Sequence, residues 1–268
     1  IGNYAILLGI AFGLALASKI SAVFFLPIIG LGFLFSLIKT RNFRLFFVIC
    51  CLFSVICLIT FRLLQPYAFA NPDIFDFTLN PKLLDNWKQL KSFDGPNTGF
   101  PPALQWIPTK PYIYPFTNLI IWGLGPIIGS ISILALIYQS FLCTIYFLKK
   151  KFKSFTDNNQ IIICLSLAWI ILLFGYQAGQ FAKALRYLYP MLPFVALISG
   201  VFIYDVYKLF YRHHKFFGIG FICVIGLTAI IWTQSFVFIY TRLHPRVSAS
   251  MWIYKNIPPG STIGNEHW

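Results

Sequence analysis

The chain has 268 residues, 58% of them hydrophobic and only 10% charged, with 21 Lys and Arg against 7 Asp and Glu. A soluble domain carries about a quarter charged residues, so this composition excludes an ordinary soluble enzyme and reads as an all-α integral membrane protein. The net charge of +14 would suggest nucleic acid in a soluble protein, but here most basic residues flank apolar runs and report membrane topology instead.

Seven apolar segments are candidate spans: Tyr4–Ser18, Ser21–Ile38, Leu45–Phe61, Asn118–Leu148, Ile161–Ala178, Tyr187–Tyr204 and Phe216–Tyr240. A span needs about 20 residues. The first is short, and Lys19 separates it from the second. The two form either one broken helix or, as favoured here, a tight hairpin that turns at Ser18-Lys19-Ile20-Ser21 with Lys19 snorkelling to the interface. The fourth is long enough to tilt or to extend beyond the bilayer. Cys50, Cys51, Cys57, Cys143, Cys164 and Cys223 all lie in apolar runs and are expected to be buried thiols rather than a disulfide framework or a metal site.

Basic residues are dense in three short loops, Lys39–Arg44, Lys149–Lys153 and Lys208–Lys215, which follow the second, fourth and sixth spans. They therefore share one side, expected to be the cytoplasm. The opposite side receives Lys19, the long loop 63–117, the Tyr176–Arg186 connection and the C-terminal tail. His213-His214 has no metal-ligand spacing and belongs to the basic loop. The glycines of "WGLGPIIG" are read as a helix-packing signal.

Within the outer loop, Asn80 is placed as an N-cap, with Pro81 at the first helical position. Leu83, Leu84, Trp87 and Leu90 then share one face, which predicts an amphipathic helix lying in the outer interface. "FPPALQWIPTKPYIYPF" follows, stiffened by proline and rich in aromatics, either an interfacial anchor or a substrate platform. Asp73, Asp76 and Asp94 are expected in solvent. The tail predicts a short helix around Val247–Lys255 and a strand from near Thr262. The domain reading is a transmembrane domain over 1–246 and the beginning of an extracytoplasmic soluble segment over 247–268. Because the chain starts at Ile1 and stops soon after a turn, a fragment of a longer protein is expected.

Charges at the membrane edge are candidates for function. On the outer side these are Arg62, Lys183 and Arg186, with Arg242 and Arg246 after the last span. Either they snorkel to lipid headgroups or two or three of them converge on an anionic ligand, for which the planar fork of Arg is suited. Tyr67 and Tyr187 could add phenolic hydrogen bonds.

"GLALASKISAVFFLP" (Gly13–Pro27), "RLLQPYAF" (Arg62–Phe69), "FPPALQWIPTKPYIYPFTNLIIWGLG" (Phe100–Gly125), "KALRYLYPMLP" (Lys183–Pro193) and "SASMWIYKNIPPGSTIGNEHW" (Ser248–Trp268) together resemble the lipid-carrier-dependent glycosyltransferases of GT-C type, related to protein O-mannosyltransferases and aminoarabinose transferases. The resemblance spans nearly the whole chain in order, and it is specific for the superfamily rather than for a substrate. It implies a GT-C-like helix bundle that transfers a sugar from a polyprenyl-phosphate donor to a protein, lipid or glycan acceptor at the extracytoplasmic face of the plasma or inner membrane. Membrane lipids, and no nucleic acid, are the other partners expected.

By this resemblance Arg62, Lys183, Arg186 and Tyr187 would bind the donor phosphate and stabilise its departure, while Gln65, Tyr67, Gln105 and Trp106 would line the pocket. No cofactor is fixed by it, and a divalent metal is left open. Catalytic acids of the family sit in a first outer loop, so the base is expected upstream of Ile1, and residues 1–268 alone are expected to transfer no sugar. A membrane transporter and a lipid-linked oligosaccharide ligase are the alternative readings.

Overall fold

The computed structural model describes residues 2–96, 101–149 and 158–264, with the backbone alone at 101, 102 and 149. Helix makes up 79% of the chain, and no strand occurs among the described residues. The helices are α1 Gly2–Ser18, α2 Leu26–Thr40, α3 Phe43–Leu64, α4 Pro81–Ser92, α5 Pro101–Leu104, α6 Ile113–Asn118, α7 Pro126–Lys149, α8 Asn158–Gln177, α9 Leu192–His213, α10 Lys215–Tyr240 and α11 Pro245–Asn256. Six helical stretches among the described residues are long and apolar enough to cross a membrane, and α1, at 17 residues, is a shorter apolar helix. The architecture is that of a helical integral membrane protein. It divides into two compact units, one of residues 1–116 and 132–202, the other of 117–131 and 203–268.

In the first unit the chain reverses at Lys19. Its backbone is extended (φ −154°, ψ 113°), and a 3₁₀ helix, Ile20–Phe25, leads into α2. Leu8, Phe12 and Leu16 of α1 share one cluster with Phe25, Ile29 and Phe33. Both helices therefore meet at this cluster, so the chain turns back over 19–25 as a hairpin rather than running on as a single interrupted helix. Phe53 and Cys57 of α3 complete the cluster, with Phe53 5.7 Å from Phe12 and 5.4 Å from Phe33 between ring centroids. Gly9 and Gly13, four residues apart on α1, let the backbones close. A Cβ on Gly9 would lie 2.9 Å from the Phe53 carbonyl oxygen, and one on Gly13 2.7 Å from Thr60 Cβ. This is the small-residue packing of membrane helices, located at GIAFG rather than only at the later glycine-rich run.

Two expectations are corrected here. Asn118–Leu148 is not one long span: a π-helical turn, Leu119–Gly123, is separated from α7 by Leu124 and Gly125. Pro126 lacks the N–H that continuation would need, so it starts a helix rather than extending one. Gly125 adopts φ +84°, and a Cβ there would meet the Trp232 ring at 2.8 Å, so glycine is required on both counts. Nor are all the cysteines thiols. Cys143 of α7 and Cys164 of α8 form a disulfide across 21 residues of sequence. Composition concealed this pairing, because it depends on where two antiparallel helices bring residues to the same depth.

Other elements match their sequence signals. Asn80 accepts a hydrogen bond from the Lys82 amide at 3.0 Å and caps α4, with Pro81 behind it. Leu84, Trp87 and Leu90 on its apolar face stay exposed, as a helix lying in a membrane interface leaves them. In the tail α11 covers the expected helix, and His244 Nδ1 accepts from the Arg246 amide at its start. No regular structure extends over 262–264, and the rest of the expected strand lies outside the described residues, as do most of Lys149–Lys153 and the beginning of the proline- and aromatic-rich segment at Phe100.

Candidate functional site

Connections that topology assigns to one side come together at one end of the first unit. The last turn of α1 leaves its carbonyls without intrahelical partners. The Gln65 side chain, just past α3, donates to one of them, Ala17 O, at 3.0 Å. The Asp94 carboxylate, after α4, accepts from the Ala182 amide at 2.9 Å. Tyr112 donates through its amide to Ala178 O (3.0 Å) and through its hydroxyl to Gly175 O (3.3 Å). The ends of α1, α3 and α8, the outer loop and the 178–188 connection are thus hydrogen-bonded into one layer.

Arg62 sits in this layer with 3% of its surface exposed, at the last turn of α3. Its Nη2 donates to Asn71 O at 2.8 Å and to Asp73 O, and its guanidinium stacks on the Phe69 ring at 4.6 Å. Its Nε is buried without a hydrogen-bond partner among the described residues. The segment it grips is a compact loop closed by a Phe69–Leu79 antiparallel bridge, with Ala70 N bonded to Thr78 O and Asn80 N to Ala68 O. Inside it Asp73 Oδ1 accepts from Phe75 N, and Asp76 accepts from Thr78 N and from the Asn71 side-chain amide. These bonds, first that from the Thr78 side chain and then that from Asn71, with the Arg62 charge adding a little, pull the Asp76 pKa down to about 2. Arg62 thus holds the loop through Nη2. Asp73 and Asp76 are solvent-accessible, as expected, and also accept hydrogen bonds that form the loop.

Lys183 is likewise engaged. It is 6% exposed, donates to Phe181 O at 3.0 Å and lies 5.6 Å from the Phe181 ring. Burial lowers its pKa, and the Asp94 carboxylate acts in the opposite direction. The four residues expected on one phosphate differ in surroundings: Arg62 and Lys183 are buried with backbone carbonyls as acceptors, Arg186 is exposed and Tyr187 half-buried.

Around Tyr187 a different set is assembled. Arg186 is exposed in the 3₁₀ turn Leu185–Tyr187. Its guanidinium carbon lies 5.2 Å from the Tyr187 ring centroid, and its Nη2 donates to the Tyr187 hydroxyl at 3.4 Å. Lys19, from the other end of the sequence, places Nζ 5.5 Å from the same centroid. Two positive charges share one ring, at most about 11 Å apart, close to the Debye length of about 10 Å at 0.1 M salt. Neither is in an ion pair: the ion pair found within 4.0 Å among the described residues is Lys88–Asp85, on α4. Lys19 was read from sequence only as a snorkelling turn residue. Its partnership with residue 187 has no local signal, since it comes from the α1–α2 hairpin meeting the 178–188 connection.

Of the expected pocket residues, Gln65 is engaged in capping α1, and Tyr67 is 85% exposed. Trp106 packs edge-on against Tyr114 at 6.1 Å, and Gln105 is exposed beside it. A different cavity lies on the same elements as the cations. The 3₁₀ helix that follows Lys19 ends at Phe25, and Phe25, Ile29, Phe33, Leu165 and Phe194 line an apolar space of about 330 Å³. Phe25 packs edge-on against Trp169 at 4.7 Å and lies tilted against Phe194 at 5.7 Å, and Trp169 Nε1 donates to Pro190 O. Lys19 and Phe25, like Tyr187 and Phe194, place the charged surface and the apolar space at successive positions on the same two stretches of chain. Among the described residues no three His, Cys, Asp or Glu side chains gather as metal ligands.

No family model matches the chain, and no curated protein or solved structure matches it either.

Proposed function

We propose that the chain is a membrane glycosyltransferase of GT-C type whose Lys19, Arg186 and Tyr187 bind the phosphate of a polyprenyl-linked sugar donor. The observation that carries this reading is the pair of cations on the Tyr187 ring, at 5.5 and 5.2 Å, without a carboxylate partner. Like charges held together repel, and the anionic phosphodiester of the donor relieves that repulsion while accepting charge-assisted hydrogen bonds from both, the more so once the departing polyprenyl phosphate becomes a dianion. The apolar space at Phe25 and Phe194 supplies the next segment of the path, as an isoprenoid tail requires. In the reaction an acceptor hydroxyl oxygen attacks the anomeric carbon. The bond from that carbon to the phosphate oxygen breaks, and the electron pair leaves with the lipid phosphate. Charge grows on that oxygen in the transition state, so fixed cations beside it lower the barrier. The hydroxyl proton passes to a carboxylate base, to which no residue of this chain is assigned.

A transporter needs polar, discontinuous helices near the bilayer midplane. Here α7 runs unbroken for 24 residues, about 36 Å, after the break at Gly125, which puts the break toward a span end. The enzyme reading is therefore preferred.

The test is equilibrium binding of a polyprenyl phosphate to the purified chain in detergent. Lys19→Gln and Arg186→Gln should each weaken binding by roughly tenfold, as loss of one charge-assisted hydrogen bond does. Affinity unchanged within about twofold in both variants, about 0.4 kcal/mol, would remove the phosphate from this site.

A further inference from the structure

The basic loop at 208–215 enters the second unit as a helical hairpin. α9 ends at His213, His214 is extended (φ −152°, ψ 127°), and α10 starts at Lys215. The two helices close tightly because residue 218 is glycine: a Cβ there would lie 3.0 Å from Tyr211 Cβ. Phe210 and Phe221 meet across the hairpin at 5.3 Å, edge to face. On its face Phe210, His213, Phe217, Gly220, Phe221 and Val224 line an apolar groove of about 550 Å³. Gly220 contributes open space, since a Cβ on it would meet nothing within 4 Å.

Basic residues neighbour the lining of this groove in sequence, next to His213 and Phe216. Arg212 and Lys215 flank His213 and His214, and no Asp or Glu occurs anywhere in 206–264. Neither Arg212 nor Lys215 forms an ion pair among the described residues. His214 occupies the N-cap position of the 26-residue α10 without a side-chain cap bond. Its first-turn amides therefore add a positive end to the two cations. Long apolar walls below and uncompensated positive charge above match one ligand chemistry, an anionic phospholipid.

We propose that the α9–α10 hairpin binds an anionic phospholipid, with an acyl chain in the Phe210–Phe221 groove and the headgroup phosphate on Arg212, Lys215 and the start of α10. Basic pockets beside membrane helices select acidic headgroups in this way. The site is independent of sugar transfer: its residues lie in the second unit, and those of the donor site lie in the first.

The experiment is native mass spectrometry of the purified full chain, titrated with phosphatidylglycerol and with phosphatidylcholine of identical acyl chains. Phosphatidylglycerol should be retained roughly tenfold or more better, from two cations near the headgroup. Arg212→Gln combined with Lys215→Gln should abolish that preference, and Gly220→Leu, which fills the groove, should lower retention of phosphatidylglycerol. The charge variant lies on the surface and keeps the test decisive if Gly220→Leu fails to fold. Equal retention of the two lipids, or a preference that survives the charge variant, overturns the proposal. So does displacement of the lipid by soluble glycerol phosphate, which would make the ligand a free phosphate. A dimer that covers the groove and excludes both lipids also overturns it.

Discussion

Arg62 and Arg186 are both arginines at the edge of the bilayer, and their surroundings give them opposite roles. Arg62 is buried with its fork on two loop carbonyls, so its removal takes the donor from both. Arg62→Met is expected to destabilise the protein by about 2–4 kcal/mol. The same substitution should speed amide exchange across 69–80, measured by hydrogen–deuterium exchange. Arg186→Gln should leave both stability and exchange unchanged, because Arg186 is exposed and its partner is the Tyr187 side chain.

Asp76 gives the pH dependence of the same loop. Its pKa is lowered on folding, so its contribution is fully present above the ordinary carboxylate range and is lost as pH falls toward about 2. Protection of the Thr78 amide relative to its intrinsic exchange rate should fall between pH 4 and pH 2 (roughly the window between the unfolded and folded values), and Asp76→Asn should show the reduced protection already at neutral pH. Sequence identified Arg62, Lys183, Arg186 and Tyr187 as worth attention because charge at a span end is costly. It could not tell a clamp from a ligand-binding group, since that depends on whether a carbonyl is already within reach.

Among the elements, those governed by local rules were legible. α4 follows from Asn80, Pro81 and the spacing of Leu84, Trp87 and Leu90, and α11 from the tail. Elements governed by contacts distant in sequence were not. The GIAFG approach of α1 to α3 needed both helices in place, and Gly9→Val or Gly13→Val should cost about 1–3 kcal/mol through overpacking. The break before α7 was written in Gly125-Pro126, but a continuous apolar run masked it. Cys143–Cys164 staples α7 to α8 over 21 residues. Cys143→Ser with Cys164→Ser should lower stability by about 3 kcal/mol in the chain-entropy account. Alkylation and mass measurement before and after reduction should show two extra reactive thiols in the unsubstituted protein only after reduction.

For the whole molecule, composition established a helical membrane protein, and the alternation of basic loops anticipated which connections gather at one end of the first unit. The site was half visible. Arg186 and Tyr187 were singled out, whereas Lys19 was read as a turn, and its partnership came from two chain segments separated by more than half the sequence. The central claim is that one lipid phosphate sits between Lys19 and Arg186 on Tyr187. A polyprenyl phosphate carrying a photoreactive group next to the phosphate tests it most directly, with cross-linked peptides mapped by mass spectrometry. Labelling confined to 16–22 and 184–190, and lost on competition with unlabelled polyprenyl phosphate, is the result expected. Competable labelling that falls instead on 69–80, or only on the second unit, would contradict it.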